Sequence, residues 1–216
     1  MQTVRTSAVA GLFYPADAAE LQAQVEHFLE CVEPSTEPPP KAIIAPHAGY
    51  VYSGPVAASA YARLRAAHDI IQRVVLLGPS HRLGFRGIAV SNMAAFATPL
   101  GPIPVDQEAI EQIRYLPEVG CLEQAHAREH SLEVHLPFLQ AVLGQAGSGG
   151  GWRCPSLRGR GGIGSVVGRP RNPDRHQFRP QPLSRLPDRP LDGRRNLASH
   201  RDAAVRGYRL RAGLRT

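Results

Sequence analysis

Lysine is almost absent from this chain. Lys41 is the only one among 25 basic side chains, and 216 residues hold one Trp, two Met and three Cys. Each scarcity removes a class of protein. Cys31, Cys121 and Cys154 are too few and too scattered for a disulfide framework, and no CxxC pair exists, so reduced cysteines are expected, with Cys121 structural. No charged-then-apolar leader opens the chain, and no run of about 18 apolar residues could span a bilayer. The expected setting is cytoplasmic, with no membrane partner.

The missing lysine also bears on nucleic acid. The formal net charge is +7, but its distribution is lopsided. Residues 1–144 carry nine basic against 14 acidic side chains, a balance of −5, and residues 145–216 carry 16 Arg against four Asp, a balance of +12. An electrostatic footprint for DNA or RNA usually mixes Lys with Arg on a folded frame. An Arg-only tail without periodicity does not match it, so nucleic acid is not the expected partner beyond non-specific attraction to phosphate.

Up to residue 144 the hydrophobic pattern is regular. Asp17 reads as a helix cap, followed by Leu21, Val25, Phe28 and Leu29 at helical spacing. Lys41 to Ala45 is a short strand that delivers Pro46-His47 to a loop, and a helix is predicted to start at Ser53-Gly54-Pro55. Arg73 to Leu77 is a β-branched apolar run, the mark of a buried parallel strand, and it ends at Gly78-Pro79-Ser80-His81. Ile88-Ala89-Val90 reads as a third strand, residues 96–104 as turn-rich, Asp106 as a second cap, and Glu129 to Leu143 as a helix. Strands alternating with helices predict an α/β fold with a mainly parallel sheet. Ligands of such sheets sit beyond the carboxyl ends of the strands, where His47 and His81 both fall.

A neutral imidazole on a rigid strand end is a good ligand for iron, zinc or copper, so His47 and His81 are the candidate metal ligands. Each could instead cap a loop. His126 and His130 stand four apart, a second candidate pairing without the HExxH order of a zincin. His130 is a candidate acid/base or ligand-orienting residue; Tyr50, Ser53, Ser80, Glu129 and Glu133 are candidate pocket-lining residues, with hydrogen-bonded packing as the alternative. His27, His68 and His135 lack a motif and are expected on the solvated surface.

Four stretches together resemble the Memo family, whose prokaryotic members are called AmmeMemoRadiSam system protein B. They are Ser7 to Pro15, Ala45 to Tyr50 with Tyr52-Ser53-Gly54, Leu77 to His81, and Glu129 to Glu133 followed by Leu136-Pro137-Phe138. The resemblance covers residues 4–143. It implies a fold like that of the class III extradiol dioxygenases (LigB-like) and a metal pocket using His47 and His81. Iron is the expected metal, with copper and zinc as alternatives, and radical-SAM and Ammecr-type proteins of the same system are the implied partners. It also implies a Cys and an Asp/His pair from the C-terminal third, in a motif like Ser-Ser-Asp-Leu-Ser-His-Tyr.

That motif is absent as the chain is written. Residues 145–216 hold 12 Gly, 7 Pro and 16 Arg without a sustained period, which predicts disorder. One allowed coding of His176 to Leu186, read one base later, gives Ile-Ser-Ser-Asp-Leu-Ser-His-Tyr-Pro-Asp-Tyr. Trp152 to Gly161 in the same shift gives Gly-Val-Val-Pro-Leu-Cys-Val-Gly-Glu-Ala. The organisation expected is a Memo-like α/β domain at 1–144 and a tail at 145–216 that is out of frame, from a one-base shift near the codons for 144–151. Cys154, His176 and His200 then belong to the shifted frame.

Three functions follow as expectations. One is a metal-dependent redox protein related to non-haem iron dioxygenases, impaired in this chain by loss of the later ligands. Another is a non-enzymatic metal-binding or interaction protein beside a radical-SAM partner. The third is an inert fragment whose unpaired sheet edge promotes aggregation.

Overall fold

Asp17 begins the first helix as a cap: its carboxylate accepts the Glu20 N–H at 2.9 Å, and α1 (Ala18–Glu30) buries Leu21, Val25 and Leu29 along one stripe. The computed structural model describes residues 3–144 and the strands at 156–159 and 165–168. Before α1 lies the short β1 (Val4–Arg5), and after it come β2 (Ala42–Ile44) and α2 (Tyr50–Tyr61).

α2 starts earlier than the predicted Ser53-Gly54-Pro55, and Pro55 lies in its interior. The Phe13 carbonyl accepts the Tyr50 N–H at 2.8 Å, satisfying one of the orphan donors of the helix start. Gly54 is needed for packing rather than for turning, because a Cβ there would overlap the Phe28 ring.

Besides 3₁₀ segments at Ala62–Ala67 and Glu133–His135, the remaining elements of the first 144 residues are β3 (Val74–Pro79), β4 (Ile88–Val90), β5 (Ala95–Thr98), β6 (Gly101–Pro104), α3 (Gln107–Glu111), β7 (Val119–Cys121), α4 (Gln124–Ala127) and α5 (Leu136–Leu143). Asp106 caps α3 through the Ala109 N–H at 2.9 Å. The segment predicted to be turn-rich is a hairpin, β5 against β6, with β1 parallel to β5 on the other side. Thr98 Oγ1 stabilises that turn by donating to the Gly101 carbonyl and accepting the Leu100 N–H.

The main sheet is mixed, which corrects the expectation of a mainly parallel one. Its order is β2-β9-β3-β8-β4-β7, where β8 is Ser156–Gly159 and β9 is Ser165–Gly168. Only β3 with β8 and β4 with β7 run parallel; the other three pairings are antiparallel. Connection length is the physical reason. A parallel return needs a crossover of about a dozen residues, and β9 starts at Ser165, close behind the end of β8 at Gly159, so these two strands run opposite ways and β9 opposes β2 and β3. Two strands of this sheet thus come from the segment expected to be disordered; the rest of that expectation concerns residues outside the described ones. β2 and β3 both run antiparallel to β9, so they point the same way and end on the same side of the sheet.

Helices α2 and α5 pack through aromatic rings, with Tyr61 stacked on Phe138 at 5.2 Å and Tyr50 tilted against Phe138 at 5.0 Å. The helix predicted from Glu129 to Leu143 is only partly formed. Residues 129–132 are irregular, 133–135 form a 3₁₀ turn, and α5 begins at Leu136. Glu129 accounts for the break: its side chain accepts the backbone N–H groups of His130 and Ser131, which holds the start of the segment in a turn. Among the described residues no helix is long and apolar enough to cross a membrane.

Candidate metal centre

The strand ends of β2 and β3 bring His47 and His81 together, with ring centroids 5.2 Å apart. The turn at 129–132 adds a third imidazole. His130 stacks on His81 at 4.7 Å and lies 5.9 Å from the His47 ring. One ligand nitrogen from each of the three falls within 4.8 Å of the others, so the three histidines could hold a metal ion.

Close backbone approach makes this meeting possible. The 129–132 turn docks on the end of β3, where Ser131 Oγ donates to the Pro79 carbonyl at 2.7 Å. A Cβ on Gly78 would stand 2.6 Å from Leu132 Cδ2 and 3.0 Å from Ser131 Oγ, so glycine lets the turn seat against the strand.

Glu129 organises the centre. It is buried, and its Oε2 accepts the His81 backbone N–H at 2.6 Å. Its Oε1 lies 3.0 Å from His81 Nδ1 and 3.2 Å from His130 Nδ1. A carboxylate accepts only, so a ring whose Nδ1 bonds to Oε1 carries its proton there and leaves the Nε2 lone pair for a metal. This donor set fits a transition-metal ion of borderline softness: three imidazoles, two steadied from behind by one carboxylate.

The cleft beside the centre has a volume of about 770 Å³. His47 and His130 contribute to its wall with Phe13, Ile44, Pro46 and Tyr52. Phe13 leans on His130 at 4.6 Å between centroids, and Tyr52 is largely exposed.

The other sequence-predicted residues sit elsewhere. Tyr50 is in the core, its hydroxyl donating to the Val134 carbonyl at 2.8 Å, and burial pushes its pKa up. Ser53 donates to the Ala48 carbonyl at 2.9 Å, tying α2 to the His47 loop. Ser80 donates to the Leu83 carbonyl, shaping the loop after His81. Glu133 is fully buried and pairs with Arg5 at 2.8 Å while accepting the Ala8 and Val9 N–H groups and the Tyr14 hydroxyl.

Three sequence readings are corrected. α4 ends at Ala127, so His126 and His130 do not share a helix face; His126 is buried, 6.0 Å from the Phe96 ring. His135 is buried rather than solvated, and burial, with a smaller push from His47, drives its pKa down to about 3. Cys121 is exposed on the short outer strand β7. His27 and His68 are exposed, as expected.

Residues missed by sequence reasoning include Arg5, Phe13 and Tyr14. Each acts through long-range contact, and only the Ser7 to Pro15 stretch hinted at their neighbourhood.

The first two thirds of the chain are similar to known proteins. The family model described as "Memo-like protein" matches residues 5–147. A MEMO1 family protein of Aquifex aeolicus is 46% identical over 138 residues, 63% of this chain and 49% of the relative. Those of Sulfolobus acidocaldarius and Ignicoccus hospitalis are 39% and 41% identical, over 66% of this chain and 54% and 53% of their own lengths. The chain spans about half the length of these curated relatives. With the match covering most of the described residues, including all three clustered histidines, the chain belongs to the Memo-like family.

Proposed function

We propose that His47, His81 and His130 bind one transition-metal ion, iron first and copper or zinc as alternatives, in a redox protein related in fold to the class III extradiol dioxygenases. One observation carries the reading: a single buried carboxylate faces Nδ1 of two imidazoles whose rings stand against the third. When bound, iron supplies one-electron redox chemistry and Lewis acidity. The chain's own residues hold the ion, fix imidazole orientation through Glu129, and line the cleft with apolar groups that limit water. His130 has two roles open to it, third ligand or proton carrier. Its nitrogen within ligand range of the other two favours the first.

The second reading is a non-enzymatic metal-binding or interaction protein, cytoplasmic, working with radical-SAM and Ammecr-type partners. The cluster of three imidazoles supports it, since holding an ion requires nothing from the half of those relatives that lies outside the match. On this view residues 145–216 are the out-of-frame remnant of such a half, and the chain is impaired. Resequencing the codons for 140–156 tests the remnant: an extra or missing base restores the Ser-Ser-Asp-Leu-Ser-His-Tyr reading, and an unshifted gene refutes it.

Metal stoichiometry after dialysis against iron(II), followed by oxygen consumption, tests the function. One ion per chain with iron-dependent oxygen uptake supports the redox reading. One ion without uptake supports the second, and no bound ion overturns both.

A further inference from the structure

We infer that Glu129 is the positioning residue of this centre, a single carboxylate that sets the tautomer of two imidazoles at once. The inference deepens the proposed metal function and rests on it only for its affinity arm. Five groups converge on the same side chain: the Nδ1 atoms of His81 and His130, and the backbone N–H groups of His81, His130 and Ser131. The carboxylate is also fixed from behind. Arg5 donates to the Glu129 carbonyl at 2.8 Å, so the backbone that carries it is tied to β1.

The bland alternative is that Glu129 only shapes a turn. Its contacts with His130 N and Ser131 N would suffice for that role. The His81 contacts would not be needed, because His81 lies 48 residues away on a different element. A turn former has no reason to face two ring nitrogens of the same cleft. Sharing one carboxylate also couples the rings, since removing it frees both to turn and to exchange tautomers.

The test uses the full chain and zinc as probe. Long-range nitrogen–proton NMR of the metal-free protein at mildly alkaline pH reads each imidazole tautomer directly. The wild type is expected to show Nδ1–H at both His81 and His130, with Glu129→Gln scrambling both. Zinc affinity of Glu129→Gln is expected to fall about 10- to 100-fold, with far-UV circular dichroism unchanged. His81→Ala serves as the loss-of-ligand control.

Wild type binding zinc, with Glu129→Gln equal in affinity and tautomers, overturns the inference. Wild type failing to bind zinc overturns the metal function while the tautomer spectra still judge Glu129. Should Glu129→Gln fail to fold, the wild-type spectrum decides: Nε2–H at His81 or His130 refutes the positioning role, and Nδ1–H at both supports it.

Discussion

Glu129 and Glu133 stand one turn apart, both buried to about 1% exposure or less, yet they face opposite needs. Glu133 meets a cation, Arg5, and takes three further donors from the 8–14 segment, so its charge is compensated inside a closed network. Glu129 stands at the histidine cluster instead. Its donors are backbone N–H groups and the two imidazoles of the cleft. The difference shows how one short segment can separate stability from function. A carboxylate locked by arginine serves the fold, whereas one facing imidazoles is available to tune a site.

The largest expected effect comes from breaking the Glu133 network. Glu133→Ala would leave Arg5 buried without its counter-charge and orphan two N–H groups, costing about 3–5 kcal/mol in urea unfolding. Combining Arg5→Met with Glu133→Leu should recover the part due to the uncompensated charge, while the orphaned Ala8 and Val9 N–H groups keep the double variant below wild type. If Glu133→Ala unfolds like wild type, the contrast between the two carboxylates collapses.

Gly78→Ala tests the seat of the turn that lies between them. The new methyl group meets Leu132 and Ser131, so a loss of about 1–3 kcal/mol is expected. Zinc binding should weaken with it, because His81 and His130 would be pushed apart. A full-affinity, full-stability variant would mean the turn is not tightly docked.

The next effect depends on pH. His135 follows Glu133 by two residues and is buried, with its pKa driven down to about 3 from 6.5. The folded state therefore refuses a proton that the unfolded chain accepts below about pH 6.5, so this contribution to stability is present above pH 6.5 and is lost as pH falls toward 3. Between pH 7.5 and pH 5 the loss should be about 1–2 kcal/mol. His135→Phe should flatten that part of the curve relative to wild type in urea titrations at several pH values. Parallel curves for the two proteins would refute the assignment.

The smallest effect is expected at Tyr52, an exposed wall of the cleft. Tyr52→Ala should change stability by less than about 0.5 kcal/mol. A larger loss would show that the cleft wall belongs to the fold as Glu133 does.

Much of this was legible in the sequence where local rules decide. Asp17 and Asp106 announce their helices, and an apolar strand running into Pro-His or Pro-Ser-His puts an imidazole at a strand end. Glu129 was a candidate for the pocket because it shares a motif with His130. The illegible parts depend on contact across sequence. Nothing local says that Glu129 reaches back to His81, or that it turns onto the N–H groups just after it and so breaks the helix predicted from residue 129. Nor does a lone His135 reveal that Tyr61 and His47 enclose it, 6.0 and 6.4 Å away. The mixed sheet was missed because β8 and β9 come from a segment whose composition masks them.

The most direct test is X-ray absorption at the zinc edge of the metal-loaded full chain, fitted for ligand type and number. Three imidazole nitrogens are expected around the zinc, with the imidazole scattering pattern lost stepwise in His47→Ala, His81→Ala and His130→Ala. Sulfur among the ligands, or a spectrum unmoved by those three substitutions, would contradict that coordination.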